Sequence, residues 1–206
     1  EAEHEHEAEH EHEAEHEHEA EHEHEAEHEH EAEHEHEHDP HYWLDPENAR
    51  LWVKAIAGTL SRIDPDNGER YRTNATALDK RLRALEEELR RELAPVRARP
   101  YVVFHDAYQY FEHRFGLSPV GSITMADARA PGIRRIAEIR RAIRERGAVC
   151  VFAEPQFEPR LVKTVVEGSG AKSAVLDPVG ARLQPGPELY FQLLRGISRN
   201  LVECLS

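Results

Sequence analysis

The chain has 206 residues, of which 26 are Lys or Arg, 41 are Asp or Glu and 16 are His, and its formal net charge is −15. Residues 1–38 repeat the unit Glu-Ala-Glu-His-Glu-His and hold 19 acidic residues but no Lys or Arg, which leaves 22 acidic and 26 basic residues elsewhere. The negative charge therefore belongs to the repeat and indicates neither a nucleic-acid nor a membrane partner for the rest. No apolar run approaches the roughly 20 residues that cross a bilayer, so we do not expect the chain to span a membrane.

The repeat contains no large apolar side chain, and we expect residues 1–38 to be disordered because nothing offsets the entropy of ordering them. Imidazoles, with carboxylates beside them, bind zinc, copper and nickel, which predicts several weak metal sites. A solvating acidic linker and an engineered affinity tag are the alternatives that composition leaves open. The histidines concerned are His4, His6, His10, His12, His16, His18, His22, His24, His28, His30, His34, His36 and His38.

Two helices are predicted next. Asp45 and Pro46 suit the N-cap and first turn of a helix whose apolar residues recur at helical spacing up to residue 63. A longer helix follows over residues 67–93, with a narrow apolar stripe and an outer face rich in Arg and Glu. It could form a coiled coil or a strut packed along a domain.

From residue 100 onwards, short apolar runs alternate with amphipathic segments. The pattern predicts strands over 101–104, 120–123, 149–152 and 174–176, and helices over 107–114, 131–146, 159–168 and 189–205. Such alternation indicates an α/β fold with a mostly parallel sheet, which binds ligands at the carboxyl ends of its strands.

Four polar residues follow these strands and are candidates for a site: His105, Asp106, Glu154 and Asp177. Helix capping is the simpler role for each carboxylate taken alone, whereas together they suggest a metal site or an acid–base pair. His113 is expected on a solvated helix face. A hydrolase-like enzyme using Asp106, Glu154 and Asp177 is one alternative, but the sequence has no phosphate loop, nucleophile elbow or Cys-rich zinc motif.

Cys150 and Cys204 are the only cysteines. From their positions alone, they could be two buried thiols in a reducing compartment or one disulfide in an exported protein.

Several motifs resemble the zinc-specific substrate-binding proteins of bacterial ABC importers, the high-affinity zinc uptake family. Asp39-Pro-His-Tyr-Trp-Leu-Asp-Pro and Val103-Phe-His-Asp-Ala-Tyr-Gln-Tyr-Phe-Glu resemble the segments that supply one metal-binding His from each lobe, here His41 and His105. Phe152-Ala-Glu-Pro-Gln-Phe and Leu176-Asp-Pro-Val-Gly match two further family motifs. The family's His-rich loop also precedes the first of these motifs.

The resemblance implies a two-lobed metal-binding-protein fold with a long linking helix. Residues 1–38 would be the His/Glu-rich loop, residues 39–95 the end of the N-terminal lobe and the linking helix, and residues 96–206 the C-terminal α/β lobe. Most of the N-terminal lobe and a third ligating His are expected to precede residue 1, together with any signal peptide.

The resemblance also implies a site and a function. Zn²⁺ would lie between the lobes on His41 and His105, with Asp177 as a ligand or near-ligand and with Glu154 and Asp106 in support. Cys150–Cys204 would match a family disulfide, which favours the periplasm. The complete protein is then expected to be a monomeric, non-enzymatic carrier that passes zinc to a membrane permease, while the repeat gathers metal.

The same residues allow two other interpretations of the function. The chain could be a metal buffer or chaperone acting mainly through the repeat. It could also carry manganese or another divalent metal on the same fold, although a His at position 105 makes the site nitrogen-rich and favours zinc.

Overall fold

The structure is a computed structural model that describes residues 39–124, 131–157 and 159–206. The predicted disordered, metal-binding repeat of residues 1–38 lies outside the described residues. Within them, no helix combines the length and the apolar character needed to cross a membrane.

Two long helices open the described part. Helix α1 (Pro46–Ile63) begins as predicted, because the Asp45 carboxylate accepts a hydrogen bond from the Glu47 amide at 2.8 Å. It ends before a turn at Pro65–Asn67, and helix α2 (Gly68–Leu93) follows. The predicted apolar stripe of α2 is buried only in its second half, at Leu82, Leu85, Leu89 and Leu93.

Four parallel strands form one sheet in the order β2-β1-β3-β4. Their bounds are β1 (Tyr101–His105), β2 (Pro119–Thr124), β3 (Cys150–Ala153) and β4 (Lys172–Val175). The predicted α/β class with a parallel sheet is confirmed. Strand β4 begins two residues before its predicted position, because residues 172 and 173 pair with β3 although they are exposed and polar.

In the part of the chain that the structure describes, four helices connect or follow the strands. They are α3 (Gln109–Phe115), α4 (Ile133–Arg146), α5 (Pro159–Val166) and α6 (Leu189–Leu205). Gly147 ends α4 as predicted, with φ of 64°, a left-handed conformation that costs glycine little. The bounds of α6 are those predicted from its apolar pattern.

The sheet separates two apolar cores. Tyr101 and Val103 of β1 pack with side chains of α2, α3 and α6, whereas Val102 and Phe104 pack on the other face with side chains of α4 and α5. Because side chains alternate along a strand, His105 continues the face covered by α2, α3 and α6.

The order of the strands places a crevice beside β1. The chain leaves β1 for β2 on one side and then crosses to β3 on the other side. Such a reversal of direction opens a crevice at the carboxyl ends of the two strands concerned, and parallel sheets bind ligands there. His105 is the last residue of β1, and Glu154 directly follows β3.

Cys150 and Cys204 form a disulfide with a Cα–Cα distance of 6.0 Å. The predicted pairing is therefore confirmed. The bond joins the first residue of β3 to the last turn of α6.

Candidate metal centre

The pairing of β1 with β3 places Glu154 beside His105. Tyr101 is paired with Cys150, a sequence offset of 49 residues, and the same offset separates His105 from Glu154. The Nδ1 atom of His105 lies 2.6 Å from Glu154 Oε1. Both side chains are buried, with exposed fractions of 8% and 1%. The strand register thus creates a buried imidazole–carboxylate pair at the crevice.

His41 reaches the same crevice from the segment before α1. It precedes a short 3-10 turn (Tyr42–Leu44), which two hydrogen bonds fix to the α/β part of the chain. Trp43 Nε1 donates to the carbonyl of Pro178 at 2.9 Å, and the Tyr190 hydroxyl donates to the carbonyl of Trp43 at 2.8 Å.

The two histidines face each other through their Nε2 atoms, which are 3.4 Å apart. A zinc ion held at about 2.0–2.1 Å from two nitrogens at the tetrahedral angle places those nitrogens about 3.3 Å apart. The separation of the two Nε2 atoms therefore matches that of two nitrogen ligands of one zinc ion.

A carboxylate lies behind each ring. His41 Nδ1 is 2.5 Å from Asp39 Oδ1, and His105 Nδ1 is 2.6 Å from Glu154 Oε1. A hydrogen on each Nδ1 satisfies these contacts, so that in the neutral rings both Nε2 lone pairs point at each other. Two such lone pairs can hold a cation between them, and carboxylate–histidine pairs of this kind support metal ligands.

Glu154 is buried close to the Tyr108 hydroxyl. Its Oε2 atom and the Tyr108 hydroxyl are buried and make no hydrogen bond to the described part of the chain. Burial, together with the charge of Glu154, raises the pKa of Tyr108 well above its usual value. A cation on His105 would add positive charge beside this buried carboxylate, which already contacts His105 Nδ1 through Oε1.

Aromatic rings line the pair on two sides. The Trp43 ring lies 5.1 Å from the His41 ring, and the Phe157 ring lies 5.8 Å from the His105 ring, measured between centroids. Phe157 is itself stacked on Phe104 at 4.4 Å. These aromatic rings pack close to the two imidazoles.

The other predicted site residues are placed differently. Asp177 Oδ1 accepts hydrogen bonds from the amides of Val179 and Gly180 at 3.2 and 2.9 Å and from Gln156 Nε2 at 3.3 Å, so this oxygen holds a turn. Asp106 is exposed and makes no side-chain hydrogen bond to the described residues, and His113 is exposed on α3. The thirteen histidines of the repeat lie outside the described residues.

Over residues 39–124, 131–157 and 159–206, no group of three or more His, Cys, Asp and Glu side chains converges as a complete metal cage. The structure brings His41 and His105 together with their carboxylates but does not add Asp177 to them. The two Nε2 atoms of this pair therefore offer two nitrogens that could hold a metal ion.

Asp39 is the part of the site that sequence reasoning missed. Its side chain is 5% exposed, and its position two residues before His41 allows one carboxylate oxygen to meet both the backbone amide and Nδ1 of that residue. An acidic residue directly before Pro-His is the sequence signal that could have indicated it.

The fold and these side chains are those of a metal-binding α/β protein. The family model described as zinc-uptake complex component A, periplasmic, matches residues 1–204. The high-affinity zinc uptake system protein ZnuA of Brucella suis is 52% identical over 166 residues, which are 81% of this chain and 50% of that protein.

Two solved structures are also similar. The laminin-binding adhesin Lmb of Streptococcus agalactiae has a TM-score of 0.73 and 30% identity, covering 82% of this chain and 63% of that one. A zinc-bound deletion mutant of ZnuA has a TM-score of 0.69 and 27% identity, covering 82% and 61%.

The chain belongs to the zinc-uptake complex component A family. This is a family of substrate-binding proteins for transport and not a family of enzymes. The chain spans about half the length of the curated relatives that it matches.

Proposed function

We propose that this protein binds zinc between two lobes in the periplasm and delivers it to the membrane permease of an ABC importer. His41 and His105 are the proposed ligands from this chain. The observation that carries the proposal is the 3.4 Å separation of their Nε2 atoms, each backed by a carboxylate on the other ring nitrogen. Two nitrogen ligands favour zinc over manganese, which prefers oxygen.

The two lobes that we propose are those that the family resemblance implies. Residues 39–95 would complete a first lobe and link it to a second lobe formed by residues 96–206. Support comes from the length of the relatives and from the exposed apolar face of α1, which needs a covering partner in the complete, monomeric protein. The missing ligands would come from that first lobe. Asp177 is a proposed further ligand, since Oδ1 holds the turn and leaves Oδ2 for the metal, and Asp106 is a proposed outer support.

The proposed location and the proposed role of the repeat rest on different observations. A disulfide between Cys150 and Cys204 suits an oxidising compartment such as the periplasm. The thirteen histidines of residues 1–38 would gather zinc near the site without forming the tight site themselves. Binding and release, with no turnover, is the proposed activity.

Zinc titration by chelator competition tests the proposal in the full 206-residue chain. The His41→Ala/His105→Ala double variant should lose at least tenfold in affinity for the tightest zinc. A variant with Asn at all thirteen repeat histidines should retain that zinc and lose weaker ones. Exposed His113→Ala is the control and should behave as wild type. If the double variant keeps the tight zinc and the repeat variant loses it, the protein is a metal buffer acting through the repeat.

A further inference from the structure

Asp39 connects His41 to the helix that follows the strand of His105. Its Oδ1 atom lies 2.5 Å from His41 Nδ1 and accepts a hydrogen bond from the His41 amide at 2.9 Å. Its Oδ2 atom accepts a hydrogen bond from Gln109 Nε2 at 2.7 Å. The Tyr110 hydroxyl donates to the Asp39 carbonyl at 3.3 Å. Asp39 thus uses three acceptor atoms: Oδ1 holds His41, while Oδ2 and the carbonyl oxygen reach residues 70 and 71 positions further along the chain.

Asp39 Oδ1 determines which nitrogen of His41 can bind a metal. A carboxylate only accepts hydrogen bonds, so the imidazole places its hydrogen on Nδ1 and leaves the lone pair on Nε2. Nε2 is the atom that faces His105. The opposite tautomer would put a hydrogen on the ligating atom and prevent metal binding.

Asp39 Oδ2 fixes the position of the His41 ring. Gln109 is the first residue of α3, four residues after His105 at the end of β1. A bond from Asp39 to Gln109 therefore ties the His41 ring to the element that carries the other ligand. The nearby bonds of Trp43 to Pro178 and to Tyr190 hold the turn after His41, so the segment stays attached when the contacts of Asp39 are removed.

We propose that Asp39 is a positioning residue of the zinc site, whose Oδ1 sets the tautomer of His41 and whose Oδ2, through Gln109, sets the distance to His105. This inference rests on the proposed function of the two histidines as zinc ligands. The two oxygens have separate partners, so a substitution of Gln109 tests the role of Oδ2 alone, and its comparison with Asp39→Ala shows the role of Oδ1. Asp39→Ala removes the contacts of both oxygens. Asp39→Asn keeps an oxygen acceptor but removes the charge, whereas Gln109→Leu removes only the hydrogen bond to α3.

The first test needs no metal. Long-range ¹H–¹⁵N spectra of the metal-free chain report which ring nitrogen carries hydrogen, and a His41→Asn variant assigns the signal. We expect hydrogen on Nδ1 of His41 in wild type and in Gln109→Leu, and a mixture of tautomers in Asp39→Ala. An unchanged Nδ1 tautomer in Asp39→Ala would overturn the proposed role of Oδ1, whether or not the histidines bind zinc.

The second test measures the metal. Asp39→Ala should weaken zinc binding about 10- to 100-fold, the usual effect of removing a carboxylate behind a metal-binding histidine. Asp39→Asn and Gln109→Leu should each cause a smaller loss, and Gln109→Leu should also change the visible spectrum of bound Co²⁺ because the distance between the rings is no longer fixed. Asp66→Ala, at an exposed position, is the matched control and should change neither the zinc affinity nor the visible spectrum of bound Co²⁺.

The outcomes separate this inference from the proposed function. If Asp39→Ala changes the tautomer but neither it nor the double His variant affects zinc, the proposed zinc site fails and Asp39 positions a ring with no metal role. If the double variant loses zinc while all Asp39 and Gln109 variants bind like wild type, only the positioning role is overturned. Should Asp39→Ala fold poorly by circular dichroism, Asp39→Asn and Gln109→Leu carry the same comparison.

Discussion

His41 and His105 bring their Nε2 atoms within 3.4 Å of each other although 64 residues separate them in sequence. Their rings meet edge to face, with an interplanar angle of 65° and centroids 5.1 Å apart. Each Nδ1 is directed at a buried carboxylate, so the opposite nitrogens are presented to one point. The chain thus holds the two proposed zinc ligands in a fixed arrangement through the carboxylates of Asp39 and Glu154.

Replacing Glu154 should affect zinc binding and metal-free stability in opposite directions. Glu154→Gln keeps an oxygen acceptor for His105 but removes a buried charge that has one unpartnered oxygen. We expect weaker zinc binding, by about 10-fold or more, together with unchanged or higher stability without metal. Chelator competition and thermal unfolding in a chelator measure the two effects. A variant that is less stable without metal and binds zinc like wild type would contradict this account of Glu154.

Glu112 should make the stability depend on pH. Burial raises its pKa to about 7, the negative charges of Asp106 and Asp39 add to this, and the hydrogen bond from Tyr101 opposes it. The folded chain therefore binds a proton that the unfolded chain, with an ordinary pKa of about 4.5, releases. This contribution is fully present below pH 4.5 and is lost as pH rises towards 7, a change on the order of 3 kcal/mol.

Glu112→Gln should abolish that part of the pH dependence. Urea unfolding of the metal-free chain at several pH values, compared with wild type, isolates the contribution of this carboxyl. The stability difference between variant and wild type should move in the variant's favour as pH rises from about 4.5 to 7. A difference that is constant over this interval would show that Glu112 does not titrate there.

Removing the disulfide should reduce stability and leave the zinc site intact. The bond closes a loop with a sequence separation of 54, and its loss from a small domain costs about 2–5 kcal/mol. Cys150 begins β3, whereas Glu154 follows the other end of that strand. We therefore expect Cys150→Ala/Cys204→Ala to unfold at lower urea and to bind zinc within about threefold of wild type. Wild type in reductant, which also lacks the bond, is the comparison. If the double Cys variant lost as much zinc affinity as Glu154→Gln, the expected independence of the zinc site from the disulfide would be contradicted.

The exposed face of α1 should cause self-association of this chain. Five large apolar side chains of that helix are between 38% and 73% exposed: Leu51, Trp52, Ile56, Leu60 and Ile63. Several exposed large apolar side chains on one helix are typical of a surface that contacts a partner. Ile56→Glu/Ile63→Glu should lower the sedimentation-derived mass without loss of stability. Ile133→Glu, at an 89% exposed site on α4, is the matched control. Equal self-association of wild type, the double variant and this control would show that α1 is not the contact surface.

The sequence predicted most of the fold because its signals were local. Asp45 and Pro46 locate the start of α1, and the apolar pattern of the last helix gives both of its ends. Strand β4 was placed too late because its first residues, Lys172 and Ser173, are held by pairing with β3 and not by burial.

The site was harder to predict because it depends on contacts between distant segments. The position of His105 at a strand end was readable, but its pairing with Glu154 follows from the register between β1 and β3. The local contact of Asp39 with His41 had a sequence signal, but its bond to Gln109 on α3 joins segments 70 residues apart and had none. Asp177 matched a motif, whereas its Oδ1 atom serves a local turn.

The central claim is that one zinc ion is shared by His41 and His105. Anomalous diffraction at the zinc edge, from crystals of the 206-residue chain loaded with one equivalent of zinc, tests it most directly. We predict a peak between the two rings, about 2.0–2.1 Å from each Nε2 atom. A zinc ion bound only by histidines of residues 1–38, with His41 and His105 free of metal, would contradict the account.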